Sequence, residues 1–228
     1  MAQGLSKKHA PARVAEYAER AQRQSKRTKN EKAMETVDQL EEPRVALEEN
    51  IEVSKAAAKR VAYAFDDWVG DDRVVDGHVA SVSRKAKDYD AEHAGANTHE
   101  VIFQDERPSD VTNTNRSEQP NTIVKIIGRM AALPPEHPAL PILPLLAESN
   151  ERTRQSEKAH ALAVTAKTEA DAATEVAKLA LIQLYRDVII DTTRAVGEAL
   201  AERCFPRVSA PPKKKKKVEA EDEEDADD

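Results

Sequence analysis

Stepping alternately by four and three residues from Leu47 meets Leu47, Ile51, Ser54, Ala58, Val61, Phe65, Trp68, Asp72, Val75, Val79, Val82, Ala86, Tyr89 and His93. All but Ser54, Asp72 and His93 are apolar, Ala or Tyr. An apolar repeat of 3.5 residues held this long predicts one helix over residues 44–94, with a narrow buried seam. A strand cannot carry it, because strand side chains alternate every two residues. The rise of an α-helix makes such a rod about 75 Å long. Glu48, Lys55, Lys59, Arg84 and Lys87 fall between seam positions, on the solvated side. Asp72 sits in the seam, flanked by Gly70 and Gly77. A polar seam residue fixes register at a cost in stability, and the glycines make this the expected site of a bend.

The same phase persists weakly upstream through Leu40, Val37 and Ala33, and residues 12–41 predict an earlier helix opened by Pro11. Pro43 removes a backbone donor and disfavours helix at the residue before it, so a break or kink is expected there.

A second strong pattern covers residues 146–204. Its first half is rich in alanine, which favours helix and lets neighbouring helices approach closely. Its second half carries two stripes. One is Val176, Leu179, Ile182, Tyr185, Ile189, Val196 and Leu200; the other is Ala177, Leu181, Leu184 and Val188. So wide an apolar face predicts packing against two or more helices, and the thickest core.

Residues 95–145 read differently. Asn, Ser, Thr, Asp and Pro dominate the first part, which predicts loop with one β-like run at Val101–Gln104. A short helix is expected over 122–132, with Asn121 or Thr122 as N-cap. In the strap 134–144, Pro135, Pro138, Pro141 and Pro144 recur every third residue, the period of polyproline II. The strap is either a docking ligand or a stiff segment packed through Leu140, Ile142 and Leu143; burial of those side chains favours packing.

Composition sharpens the fold class. Charged residues are 34% of the chain and aromatics 4%, which suits long thin helices rather than a thick core. The expected fold is all-α: an elongated antiparallel helical bundle or coiled-coil hairpin with a loop-rich insert and a disordered charged C-terminal tail. The expected division is a basic N-terminal arm over 1–43, the bundle over 44–204 and the tail over 205–228. Cys204 is the single cysteine, so no internal disulfide is available, as in a reducing compartment. With no apolar signal segment at the N-terminus and no membrane-length apolar run, the expected location is cytoplasmic, or nuclear in a eukaryote.

Charge is uneven. Residues 1–32 hold nine Lys/Arg against three Glu, while the last sixteen hold five lysines against eight acids. Arg13, Arg20, Arg23, Lys26, Arg27, Lys29 and Lys32 are candidates for nucleic-acid phosphates, with Lys213, Lys214, Lys215, Lys216 and Lys217. Tyr17 is the only aromatic near the first group, so base stacking has little support. Pro212–Val218 resembles the short lysine-cluster type of nuclear localisation signal, which implies nuclear import; the following acids screen those lysines.

Reactive constellations are scarce. Glu157 and His160 have the Glu-x-x-His spacing of helical di-metal sites, but the paired glutamates such a site also needs are not evident. Asp66, Asp67, Asp71, Asp72 and Asp76 lack the alternation of a calcium loop. Phosphate-cradling glycines and paired cysteines are missing. The expectation is a non-catalytic structural or scaffolding protein without cofactor or small-molecule substrate, whose partner is protein, first a second copy of itself. The alternative is weak nucleic-acid association; a metal-dependent oxidase through Glu157 and His160 is more remote.

Overall fold

A computed structural model describes residues 4–104 and 106–208. The Lys213–Lys217 run and the acids after it lie outside the described residues.

Every regular element among the described residues is helical. Pro11 occupies the first turn of α1 (Pro11–Thr28), where its missing N–H costs nothing. Lys29 ends it in the left-handed conformation, φ 52°. Asn30 then caps α2 (Glu31–Asp38), its side chain accepting from Ala33 N at 3.0 Å. The expected single helix over 12–41 is therefore two. The next helix, α3 (Glu41–Glu92), already contains Pro43 in its first turn, so the chain breaks before that proline and not at it. Glu41 and Glu42 complement the positive helix end, and Arg44 ties Glu41 and Glu48 together at 2.8 and 2.7 Å. Gly70 and Gly77 do not interrupt α3, and a Cβ added at either meets nothing within 4 Å.

The insert is more helical than its composition predicts. It holds α4 (Thr98–Phe103), α5 (Pro108–Asn113) and α6 (Gln119–Met130). Val101 lies in α4, which corrects the β-like reading of 101–104. Asp90 explains the difference: its carboxylate accepts from Thr98 N, Thr98 Oγ1 and His99 N at 2.8, 2.7 and 2.9 Å. A six-residue helix is unstable alone, and here its free N–H groups are capped from α3 while Ile102 and Phe103 are buried. Helix α6 starts at Gln119, three residues before the expected start, with Pro120 in its first turn, and neither Asn121 nor Thr122 is its cap. The proline strap winds through successive tight turns, His137 N to Pro134 O and Ile142 N to Ala139 O, rather than through polyproline II. Ala139 and Ile142 are buried, with Leu140 and Leu143 packed against the same core. The following helix, α7 (Leu143–Val196), stops at Gly197, φ 80°, before a separate α8 (Glu198–Cys204).

The chain forms two compact units, both crossed by α3 and α7. Among the described residues, one comprises residues 4–51 and 173–208; the other is Glu52–Ala172. The first unit packs α1, α2 and α8 against one end of α3 and of α7. Its core joins Val14, Tyr17, Val37, Leu40 and Leu47 to Leu181, Ile182, Tyr185 and Val188. The expected stripe is only partly right. Val176 is 69% exposed, and Leu179, Ile189, Val196 and Leu200 are half-buried. In the second unit, Val75, Val79, Val82 and Ala86 of α3 meet Ile102 and Phe103 of α4, Val111 of α5, and Ile123, Ile126 and Met130 of α6.

Candidate functional site

Within the unit Glu52–Ala172, α3 and α7 run antiparallel. Ser54 Oγ donates to Asp171 Oδ1 at 2.6 Å, Ser156 bonds Asp71, and His78 Nδ1 meets Ser149 Oγ at 3.1 Å. Each step up α3 matches a step down α7. Between Glu52 and Asp72 the buried apolar side chains of the contact are small, Ala57 and Ala170. Val61 and Trp68 are half-buried seam residues, as is Ile51 just before them. Phe65, expected in the seam, is 41% exposed at its edge.

The bare stretch leaves large apolar side chains in solvent. Tyr63 is 67% exposed and Leu162 72%; Val53 and Val164 are exposed as well. Sequence reasoning missed all four, because none lies on the seam. The available signal was a tyrosine opposite the seam with basic residues, Lys59 and Arg60, on one side and acidic ones, Asp66 and Asp67, on the other. Tyr63 is thus left in solvent, while Phe65 is partly covered by Trp68 and His160.

The metal candidates are placed differently. His160 lies 5.6 Å from the Phe65 ring and 5.5 Å from the Trp68 ring. Glu157 and His160 gather no third ligand, and no group of three or more His, Cys, Asp or Glu fit to hold a metal occurs among the described residues. Trp68 Nε1 is buried without a hydrogen-bond partner, so this cluster is held by packing.

A second polar centre sits beside a cleft of about 580 Å³ lined by Ser83, Lys87, His99, Phe103 and Arg107 among others. Ser83 Oγ lies 3.0 Å from His99 Nε2, the separation of a nucleophile and its base. Burial, with Lys87 nearby, pushes the His99 imidazole below its ordinary range. The acid that would orient such a histidine is otherwise engaged. Asp90 receives His99 through its backbone N–H, as the cap of α4. Burial opposes that carboxylate, but the hydrogen bonds from His99 and Thr98 hold its pKa below the usual value. Ser83 and His99 thus fasten α4 to α3.

Three of the seven candidate N-terminal cations are engaged within their own helix. Arg20 pairs with Glu16, Arg23 with Glu19 at 3.4 Å, and the Arg13 guanidinium lies 5.3 Å over the Tyr17 ring. Lys26, Arg27, Lys29 and Lys32 are exposed. Among the described residues, no helix is long and apolar enough to cross a membrane.

No family model matches the chain, and comparison with curated proteins and with solved structures finds no match.

Proposed function

We propose that this chain is a non-catalytic helical scaffold that works by associating with itself. The observation that carries the reading is the bare stretch of α3 and α7, where Tyr63, Leu162 and Val164 stand in solvent and Phe65 is partly exposed, while the unit's larger apolar core lies elsewhere. Apolar side chains concentrated on exposed helical faces gain by burial against another helix, at about 25 cal/mol per Å² removed from water. Two further observations support it. Among the described residues no carboxylate hydrogen-bonds the His99 ring, and Arg13, Arg20 and Arg23 have contacts within α1.

Sedimentation of the full chain across a wide concentration range tests the proposal. The expected result is a mass that rises from one chain to two or more as concentration increases. A single-chain mass throughout overturns it.

A further inference from the structure

We infer that the second copy docks on the outward face of α3, antiparallel, about a two-fold axis at Tyr63. This rests on the self-association proposed above and names its surface.

Seven-residue steps place Ala56, Tyr63 and Gly70 on one line of α3, with Lys59, Arg60, Asp66 and Asp67 beside it. The line lies opposite the seam made by Ser54, Ala57, Val61, Trp68 and Asp72. All seven residues are exposed, and all lie in the unit Glu52–Ala172.

The charges on this face have no partners on their own helix. An exposed helix pairs opposite charges three or four residues apart, and this chain does so at Glu16–Arg20, Glu19–Arg23 and Arg44–Glu48. Three and four residues beyond Lys59 are Ala62 and Tyr63; beyond Arg60 they are Tyr63 and Ala64. The same distances before Asp66 and Asp67 also meet Ala62, Tyr63 and Ala64. Tyr63 and its neighbours occupy the places that intrahelical partners would take. None of the four charges has an ion-pair partner among the described residues.

Their order is self-complementary. In two antiparallel copies of α3 crossing at Tyr63, Lys59 faces Asp67 of the other copy and Arg60 faces Asp66. The two-fold axis repeats both pairs, so one surface satisfies itself, as an isologous interface requires. A parallel pairing in register sets like charge against like. Tyr63 meets its own copy at the axis, where two rings can stack offset. Ala56 lies opposite Gly70, and a Cβ at Gly70 meets nothing within 4 Å, so neither obstructs close approach of the helices. Because the charges remain near solvent, the contact weakens as salt rises.

Two variants and their mixture test the surface in the full chain. Lys59→Glu with Arg60→Glu makes the face wholly acidic; Asp66→Lys with Asp67→Lys makes it wholly basic. Each variant is expected to show at least a tenfold weaker association by sedimentation. An equimolar mixture is expected to form a one-to-one heterodimer, since every facing pair is then of opposite sign, and that rescue excludes misfolding as the cause of the loss. The inference is overturned if either variant associates like the parent chain, or if the mixture stays monomeric. If the parent associates and both variants do too, self-association stands and only this surface fails. If the parent itself is monomeric throughout, the proposed function and this inference fall together.

Discussion

Arg116 Nε donates a 2.6 Å hydrogen bond to Asp72 Oδ2, joining the one buried carboxylate of the α3 seam to the turn between α5 and α6. Asp72 is buried and Arg116 half-buried, while Asp72 Oδ1 has no hydrogen-bond partner. The pair fixes where the α5–α6 segment lies along α3, the register role that a polar seam residue performs in coiled coils.

Arg116→Ala is therefore expected to lower stability by about 2 kcal/mol, because it strands a buried carboxylate. Asp72→Val removes the charge from the seam and leaves Arg116 to water, so it is expected to cost less. Adding Arg116→Ala to Asp72→Val should then change little. Urea unfolding of the three variants measures the coupling; additive losses would mean that the pair does not act as a unit.

Leu181→Ala should destabilise the first unit by about 2–5 kcal/mol, since Leu181 is fully buried among Tyr17, Leu47 and Tyr185. Val176→Ala should stay within about 0.5 kcal/mol, because its side chain is largely in solvent. Thermal melts followed by circular dichroism separate the two. Equal effects would contradict the observed burial.

Stability should fall as pH drops through about 6.5. His137 Nδ1 accepts from Ala139 N at 3.1 Å, so its proton sits on Nε2, which points to Thr98 Oγ1, itself 2.7 Å from Asp90. Protonating Nδ1 breaks this arrangement. Burial pushes His137 below the ordinary histidine range, with Asp90 and Glu136 opposing and His93 assisting. Burial does the same to His99, assisted by Lys87 and opposed by Asp90. Both histidines are thus neutral in the fold at pH values where the unfolded chain already binds protons. Their contribution is complete above the unfolded pKa and declines below it, by at most about 1.4 kcal/mol per pH unit for each histidine. Denaturation between pH 7.5 and 5.5 should show that slope, and His137→Asn should flatten it. An unchanged slope in the variant would remove His137 as its source.

Cys204 should resist alkylation until the first unit opens. It is fully buried, and burial raises its thiol pKa despite the opposing influence of Thr28 and Arg203. Thiolate is the reactive form, so labelling by a maleimide at pH 7 should be slow in the folded chain and rapid in denaturant. Rapid labelling of the folded chain would contradict the burial.

Helix class was readable from the residues, and with it the extent of α3, because periodicity is a local property. The seam from Leu47 to Tyr89 predicts α3 within a few residues at each end, and Pro11 marks the start of α1. The fastening of the proline strap through Ile142 and Leu143 follows from their apolar side chains. The break between α1 and α2 was harder to see, since the left-handed turn falls on Lys29 rather than on a glycine. Helix α4 was misread because its cap, Asp90, lies eight residues upstream on another element, and no local propensity carries that bond.

The candidate surface was half legible. The residues themselves show charges at Lys59, Arg60, Asp66 and Asp67 that have no partner three or four positions away. Whether that face is covered depends on which elements fold over it, as does the fate of Phe65 and Val176. The sequence by itself determined that this protein is built from long helices, because alternation of apolar and polar residues acts on the chain locally through a fixed helical period. Only the tertiary structure decided which apolar positions are core and which are left in water, because burial requires a second element on top of the first, and that is a matter of where distant segments pack.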